Sequence, residues 1–321
     1  MKTNKFTEVI NPINQLNLFG YESYFEFFDK LYRKNKLPNS MLLSGQKGLG
    51  KSTFAHHFIN HLLSKDEKYT YDRKNFFIDP NNSTYNLIQA GTHTNLFILD
   101  AVNYDNIKIE QIRRLLLFLN KSSYYKGLKI VLLDNAENLN INSSNALLKA
   151  IEEPSKDTYF FIINNDSQKI LDTIKSRCID FKINFNFLEK KKIFSEIAQG
   201  YDLNFSESDL DNFLYFDTHG NLLKYLFTLK SSSYKISEDY LPCISYLLNL
   251  YSLKNDPKLL GTISLFIQKF YNHLSLKNTS LINKYYRNLN KILYLIDDMK
   301  KFHLDRKNLI FSIDKIVKNE R

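Results

Sequence analysis

The chain has only two cysteines, Cys178 and Cys243, among 321 residues. Two thiols cannot build a disulfide framework, so a reducing cytoplasm is the simple expectation. Long apolar runs are missing as well. The longest, Leu115 to Leu119, falls far short of the roughly eighteen residues a membrane span needs, so no membrane partner is expected. Met1-Lys2-Thr3-Asn4-Lys5 is followed by no apolar stretch of the kind that marks a secretory signal. Glycine and proline are scarce, at nine and six residues, while Lys, Asn, Ile, Tyr and Phe are plentiful, as an AT-rich genome would produce.

What is present is ordinary for a soluble globular protein: 43% of residues are hydrophobic and 24% charged. The length suits two or three domains with a sizeable core. A net charge of +10 suits nucleic acid or another polyanion as a partner, but coding bias toward lysine explains it equally well.

Tyr24, Phe25, Phe27, Phe28, Leu31 and Tyr32 recur at helical spacing, which predicts an amphipathic helix over 22–34. Met41 to Ser44 then reads as a short buried strand. It runs into Gly45-Gln46-Lys47-Gly48-Leu49-Gly50-Lys51-Ser52, which matches the phosphate-loop pattern G-x-x-x-x-G-K-[ST], and a helix follows. Gly45, Gly48 and Gly50 let backbone N–H groups curl around a phosphate at the helix N-terminus. Lys51 would reach the β- and γ-phosphates, Ser52 would hold magnesium, and Thr53 completes the expected nucleotide-binding set. His56, His57 and His61 on that helix are read as a solvated face, not as metal ligands.

Ser64 to Asn95 is charged and polar, with Asn81-Asn82-Ser83 as a loop. Further strands are expected at Leu96–Leu99, Ile130–Leu133, Tyr159–Ile163 and Ile179–Ile183, and a helix at Ile109–Leu119. Strands alternating with helices predict a mostly parallel sheet covered on both faces, with the phosphate loop and Asp134 at its carboxyl edge. Asp134 is then the magnesium-side acid. The next helix is expected to start near Ser143-Ser144 and to stop at Pro154. Glu152 and Glu153 fall in its last turn, where the helix dipole disfavours carboxylates and a nearby positive group would compensate. The strand at 159–163 ends in Asn164-Asn165, where an amide suits a γ-phosphate or an attacking water, and equally suits a turn. Arg177 lies on a tight connection before the last strand, a position suited to reaching another molecule's phosphates.

Asn145-Ala146-Leu147-Leu148-Lys149, Glu152-Glu153-Pro154 and Ser176-Arg177-Cys178, at these spacings, resemble the bacterial clamp-loader subunits of the AAA+ superfamily. The likeness runs from about Phe19 to about Leu226. The resemblance implies a P-loop AAA+ domain with a parallel sheet at residues 1–183, a small helical lid at 184–236, and an all-α C-terminal collar at 237–321 that oligomerises. It also implies ATP or ADP with magnesium at Ser52 and Asp134, and partners in gamma/tau and delta subunits. The sliding clamp and primed DNA would be met through the complex.

The family contains ATP-hydrolysing gamma/tau-type subunits and a stator-like type that donates an arginine to its neighbour. In the motor type a Glu that orients the attacking water follows the magnesium-side Asp. Here that position is Asn135, with Glu137 two residues on. The lid arginine after Gly-x-Leu is replaced in Gly220-Asn221-Leu222-Leu223, and Lys224 is a poor substitute. The four-cysteine zinc module is missing, since no cysteine lies between Thr53 and Arg177, so no zinc is expected. The stator-like reading follows, with Arg177 as an arginine finger acting in trans and little ATPase activity of the chain's own. A hydrolysing gamma/tau-type subunit is the alternative, and an unrelated phosphate-loop kinase a third.

Overall fold

The computed structural model describes residues 11–100, 107–120, 127–165, 170–200, 214, 217–230, 240–254, 258–302 and 305–320. It divides into two compact units, Met1–Leu226 and Phe227–Arg321.

The first unit is built on a sheet of five parallel strands, β1 (Ser40–Ser44), β2 (Leu96–Asp100), β3 (Lys129–Asp134), β4 (Thr158–Asn164) and β5 (Ile179–Lys182), in the spatial order β2-β3-β4-β1-β5. All five lie within two residues of where the apolar runs put them. Parallel strands need crossovers, and helices supply most of them: α1 (Glu22–Arg33) precedes β1, while α2 (Lys51–Leu63) and α3 (Ser83–Gln89) lead to β2. Next come α4 (Ile109–Asn120), α5 (Ile141–Glu152) and the single turn α6 (Asp172–Lys175), then α7 (Phe187–Gly200) and α8 (His219–Lys230). From β1 the chain crosses to the far edge at β2, returns through β3 and β4, and passes over β1 to reach β5. The sheet therefore changes direction around β1, where open α/β sheets bind ligands at their carboxyl ends.

Side chains alternate across the strands, and each face has its own core. Met41, Leu43, Ile130, Leu132, Phe161 and Ile163 face Phe25, Phe28, Phe54 and Phe58 of α1 and α2. Leu42, Val131, Leu133, Phe160 and Ile162 face Ile112, Leu115, Leu147 and Ile151 of α4 and α5. Much of the aromatic content sits on the first face. Tyr21 stacks on Phe54 with centroids 5.0 Å apart, Phe25 on Tyr71 at 5.1 Å, and Phe28 tilts against Phe181 at 4.7 Å. Such pairs add directional contact to the area they bury.

Two local expectations need correction. Helix α5 starts at Ile141, two residues before Ser143, because Asn140 caps it by accepting from the Ser143 N–H at 2.8 Å. The histidines of α2 are buried: His57 is fully enclosed, and His56 and His61 nearly so. The polar stretch after α2 folds back over that side of the helix. Tyr71 from this stretch meets His57, and Arg73 joins His61 around the buried carboxylate of Asp29, at 2.8 Å and 2.9 Å.

That same stretch is held by polar side chains. Asn82 caps α3 by accepting from the Tyr85 N–H at 2.6 Å, accepts from Asn60 Nδ2 at 2.8 Å and donates to the Tyr69 carbonyl at 2.5 Å. Glu67 accepts from the Thr84 N–H at 2.9 Å and from its hydroxyl at 2.5 Å. Replacing Asn82 with alanine should lower the stability of this unit by about 2 kcal/mol, since a cap and two buried partners are lost together. Denaturant unfolding measures this directly.

The second unit is helical in its described residues: α9 (Tyr240–Lys254), α10 (Lys258–Lys277), α11 (Ile282–Phe302) and α12 (Arg306–Lys318). Leu247, Phe266, Ile292 and Ile313 are buried within it. No described helix is long and apolar enough to cross a membrane. Both cysteines are free.

Candidate functional site

The phosphate loop joins β1 to α2 at the carboxyl edge of the sheet. Its tip requires glycine. Gly48 has φ of 90°, and an added Cβ would stand 2.2 Å from Thr218 Oγ1. That hydroxyl belongs to the segment leading into α8, which rests directly on the loop. Thr218 Oγ1 donates to the Lys47 carbonyl at 2.8 Å, and the Gly220 N–H donates to the Gly48 carbonyl at 2.9 Å. A Cβ on Gly220 would meet Gly48 O at 2.5 Å, so the approach needs glycine on both sides. Lys51 is almost fully buried, and its ammonium donates to the carbonyls of Gly45 and Gln46, each at 2.7 Å.

Asp134 ends β3 at the same edge, and the Ser52 hydroxyl hydrogen-bonds its carboxylate. Register pairs Asp134 with Asp100 at the end of β2. Burial, reinforced by the neighbouring Asp100 carboxylate, pushes the Asp134 carboxyl up to about 6, against the Ser52 and Asn135 hydrogen bonds and the Lys51 charge. A hydroxyl beside two carboxylates is a hard-oxygen donor set of the kind magnesium takes, and a cation there would relieve the cost of the buried charge. The donors therefore fit that ion. Asn164, at the end of β4, pairs in register with Ser44 immediately before the phosphate loop. The fold thus brings Gly45 to Thr53, Asp134 and Asn164 to one edge of the sheet.

Asn135 directly follows Asp134. It is left-handed (φ 58°) and buried, and its amide is used at both ends. Nδ2 donates to Asp100 Oδ1 at 3.0 Å, while Oδ1 accepts from Asn165 Nδ2 at 2.9 Å. Glu137, two residues on, has its Oε2 accepting from the Asn165 N–H at 3.2 Å. Asp100 escaped the sequence reading because only the β2–β3 register brings it to Asp134. Thr218 escaped it because only the docking of α8 brings it to the loop.

Arg177 lies at the other edge. It stands two residues before β5, and Ile179 pairs with Met41 near the start of β1. A five-residue strand thus separates it from its own phosphate loop, about 15 Å at the usual rise. Its Nε donates to Glu152 Oε1 at 2.5 Å, and its Nη1 to the Thr173 carbonyl at 2.9 Å and to Ser176 Oγ at 3.3 Å. Glu152 thereby obtains the positive neighbour that its place at the C-terminal end of α5 demands.

Residues 20–186 match the model of a protein family described as DNA polymerase III, delta subunit. Among curated relatives, the delta' subunit of DNA polymerase III from Pseudomonas aeruginosa is 35% identical over 142 residues, which are 44% of this chain and 42% of that protein. The delta' subunit of Bacillus subtilis is 32% identical over 45% of this chain and 42% of its own length. The gamma subunit of DNA polymerase III from Buchnera aphidicola is 30% identical over 51% and 49% respectively. The matched stretch spans somewhat under half the length of each of these relatives.

Proposed function

The chain belongs to the DNA polymerase III delta-subunit family, and from that premise we propose that it serves as a delta-prime-type subunit of the polymerase's clamp loader. In that role it donates Arg177 to ATP held by a neighbouring subunit. The observation that carries this reading is the location of Arg177 at the amino edge of the sheet, a strand length from the chain's own phosphate loop. An arginine so placed cannot serve nucleotide in its own loop but is partly exposed for someone else's. Its partners are then gamma/tau and delta subunits, with the sliding clamp and primed DNA reached through the assembly, in the cytoplasm. The division into a nucleotide-binding domain at 1–183, a lid at 184–236 and a collar at 237–321 belongs to the same proposal.

The chain's own loop reads as a site that holds nucleotide and turns it over slowly. Backbone N–H groups of Gly48 and Gly50, with Lys51, would cradle the phosphates, and Ser52 and Asp134 would hold magnesium, which would supply neutralisation of phosphate charge. Thr53 follows in the first turn of α2, and Asn164 would contribute an amide on the γ-phosphate side. What the site lacks is a carboxylate to orient water. Asn135 cannot take a proton, and Glu137 is engaged by the Asn165 backbone. Binding and hydrolysis need different groups, and only those for binding are complete here.

Hydrolysis by the isolated chain is the test. We expect nucleotide binding with very slow turnover, and Lys51→Ala should leave ATP-driven clamp loading by the reconstituted assembly nearly unchanged. The gamma/tau-type reading is kept in view by the intact loop and by the Buchnera gamma relative. Loss of loading with Lys51→Ala as complete as that with Arg177→Ala would favour it.

A further inference from the structure

We propose that Glu152 is a positioning residue for Arg177, fixing the guanidinium so that Nη2 is the nitrogen presented to a phosphate group. The inference rests on the reading that Arg177 serves a neighbour's nucleotide. Glu152 ends α5 and Glu153 follows as its C-cap, where the helix dipole disfavours a carboxylate unless a cation faces it. Glu152 has a specific one: its Oε1 accepts from Arg177 Nε. Two further acceptors, the Thr173 carbonyl and Ser176 Oγ, both take Nη1. Three acceptors from the end of α5 and the turn α6 therefore hold two of the three guanidinium nitrogens. Among the described residues Nη2 has no partner, so its two N–H groups face a phosphate oxygen without any existing bond having to break.

The pair is too exposed to be a stability device. Glu152 is 46% and Arg177 31% exposed at the side chain, where an ion pair contributes little to folding. Its value lies in orientation. A long, flexible arginine that must meet a transition state loses rate when it has to be ordered in each cycle, and a small misplacement at a reacting centre is costly.

The experiment is steady-state ATP hydrolysis by the reconstituted, clamp- and DNA-stimulated loader carrying Glu152→Ala, Glu152→Gln, Arg177→Ala or the Glu152→Ala/Arg177→Ala pair. We expect Glu152→Ala to lower kcat about tenfold with KM for ATP nearly unchanged. Glu152→Gln keeps an oxygen acceptor for Nε and should recover most of the rate. In the Arg177→Ala background Glu152→Ala should cost nothing more, and thermal melting of each subunit should be unshifted. A rate unchanged or raised by Glu152→Ala, while Arg177→Ala still lowers it, overturns the positioning role and leaves the trans-acting arginine standing. Equal losses for Glu152→Ala and Glu152→Gln would overturn it too, since charge and not geometry would then be what matters. An unchanged rate with Arg177→Ala would remove the reading beneath it.

Discussion

On the proposed trans-acting role, replacing Arg177 with alanine should lower ATP turnover at the motor site bordering this subunit by about a thousandfold, the effect typical of losing an arginine finger. The reason is electrostatic. Charge develops on the transferred phosphoryl oxygens, and a guanidinium positioned before the reaction stabilises it without reorganisation at the moment of transfer. Because a loader carries several motor sites, the measurement needs an assembly in which the other phosphate loops are disabled, so that the bordering site alone is read. Arg177→Lys should rescue poorly: an ammonium cannot donate to Glu152, Thr173 and Ser176 and still present a planar edge to phosphate. The subunit itself should fold and join the assembly normally, because the Arg177–Glu152 pair is partly exposed and contributes at most about 1 kcal/mol. Turnover at that site equal to the unsubstituted loader would end the stator-like assignment.

Sheet and site differ in how far the sequence makes them legible, for physical reasons. Strands buried on both faces must be apolar along their whole length, so Ile130–Leu133 and Tyr159–Ile163 stand out from their neighbours, and the ends of those runs place Asp134 and Asn164. The phosphate loop is legible because its glycines answer a backbone requirement that few other residues can meet. The histidines of α2 were misread because helical periodicity assumes one wet face. That face is instead covered by residues 71–78 and by Gln15, irregular chain whose path no periodic pattern reports. Asp100 is a contact of register, and Thr218 a contact of helix docking. Both depend on segments more than thirty residues from their partners, Asp134 and Lys47. Glu152 lies between these cases: its unfavourable place on the helix dipole announced that a cation was near, and the fold identified which one.

The buried histidines lead to the second large effect, an acid limit on the stability of the helix that carries Lys51 and Ser52. Burial holds the His57 imidazole down at about 3 and His56 at about 4. His57 Nε2 contacts the Gln15 carbonyl at 3.1 Å, which only accepts, so that nitrogen carries the proton and Nδ1 accepts from the Tyr71 hydroxyl at 3.1 Å. The neutral ring is therefore satisfied on both sides. His56 Nδ1 is buried with no partner among the described residues. In the unfolded chain both rings titrate near the ordinary value of 6.5. Folded values below unfolded ones mean that the unfolded state binds more protons, between about 3 and 6.5 for His57 and about 4 and 6.5 for His56, so stability is fully present above that window and is lost as pH falls through it. The shifts correspond to losses on the order of 5 kcal/mol for His57 and 3 kcal/mol for His56 at most. His57→Gln separates this from the carboxylates that titrate nearby, because glutamine can donate to Gln15 and accept from Tyr71 without ever charging. Its stability at neutral pH should fall modestly, from lost ring packing. Its dependence on pH near 5 should be shallower than that of the unsubstituted chain by one proton, about 1.4 kcal/mol per pH unit. Urea unfolding at several pH values reads that slope. Equal slopes for the two proteins would mean that His57 takes up its proton in the folded state, and that the cover over α2 opens well before the unit unfolds.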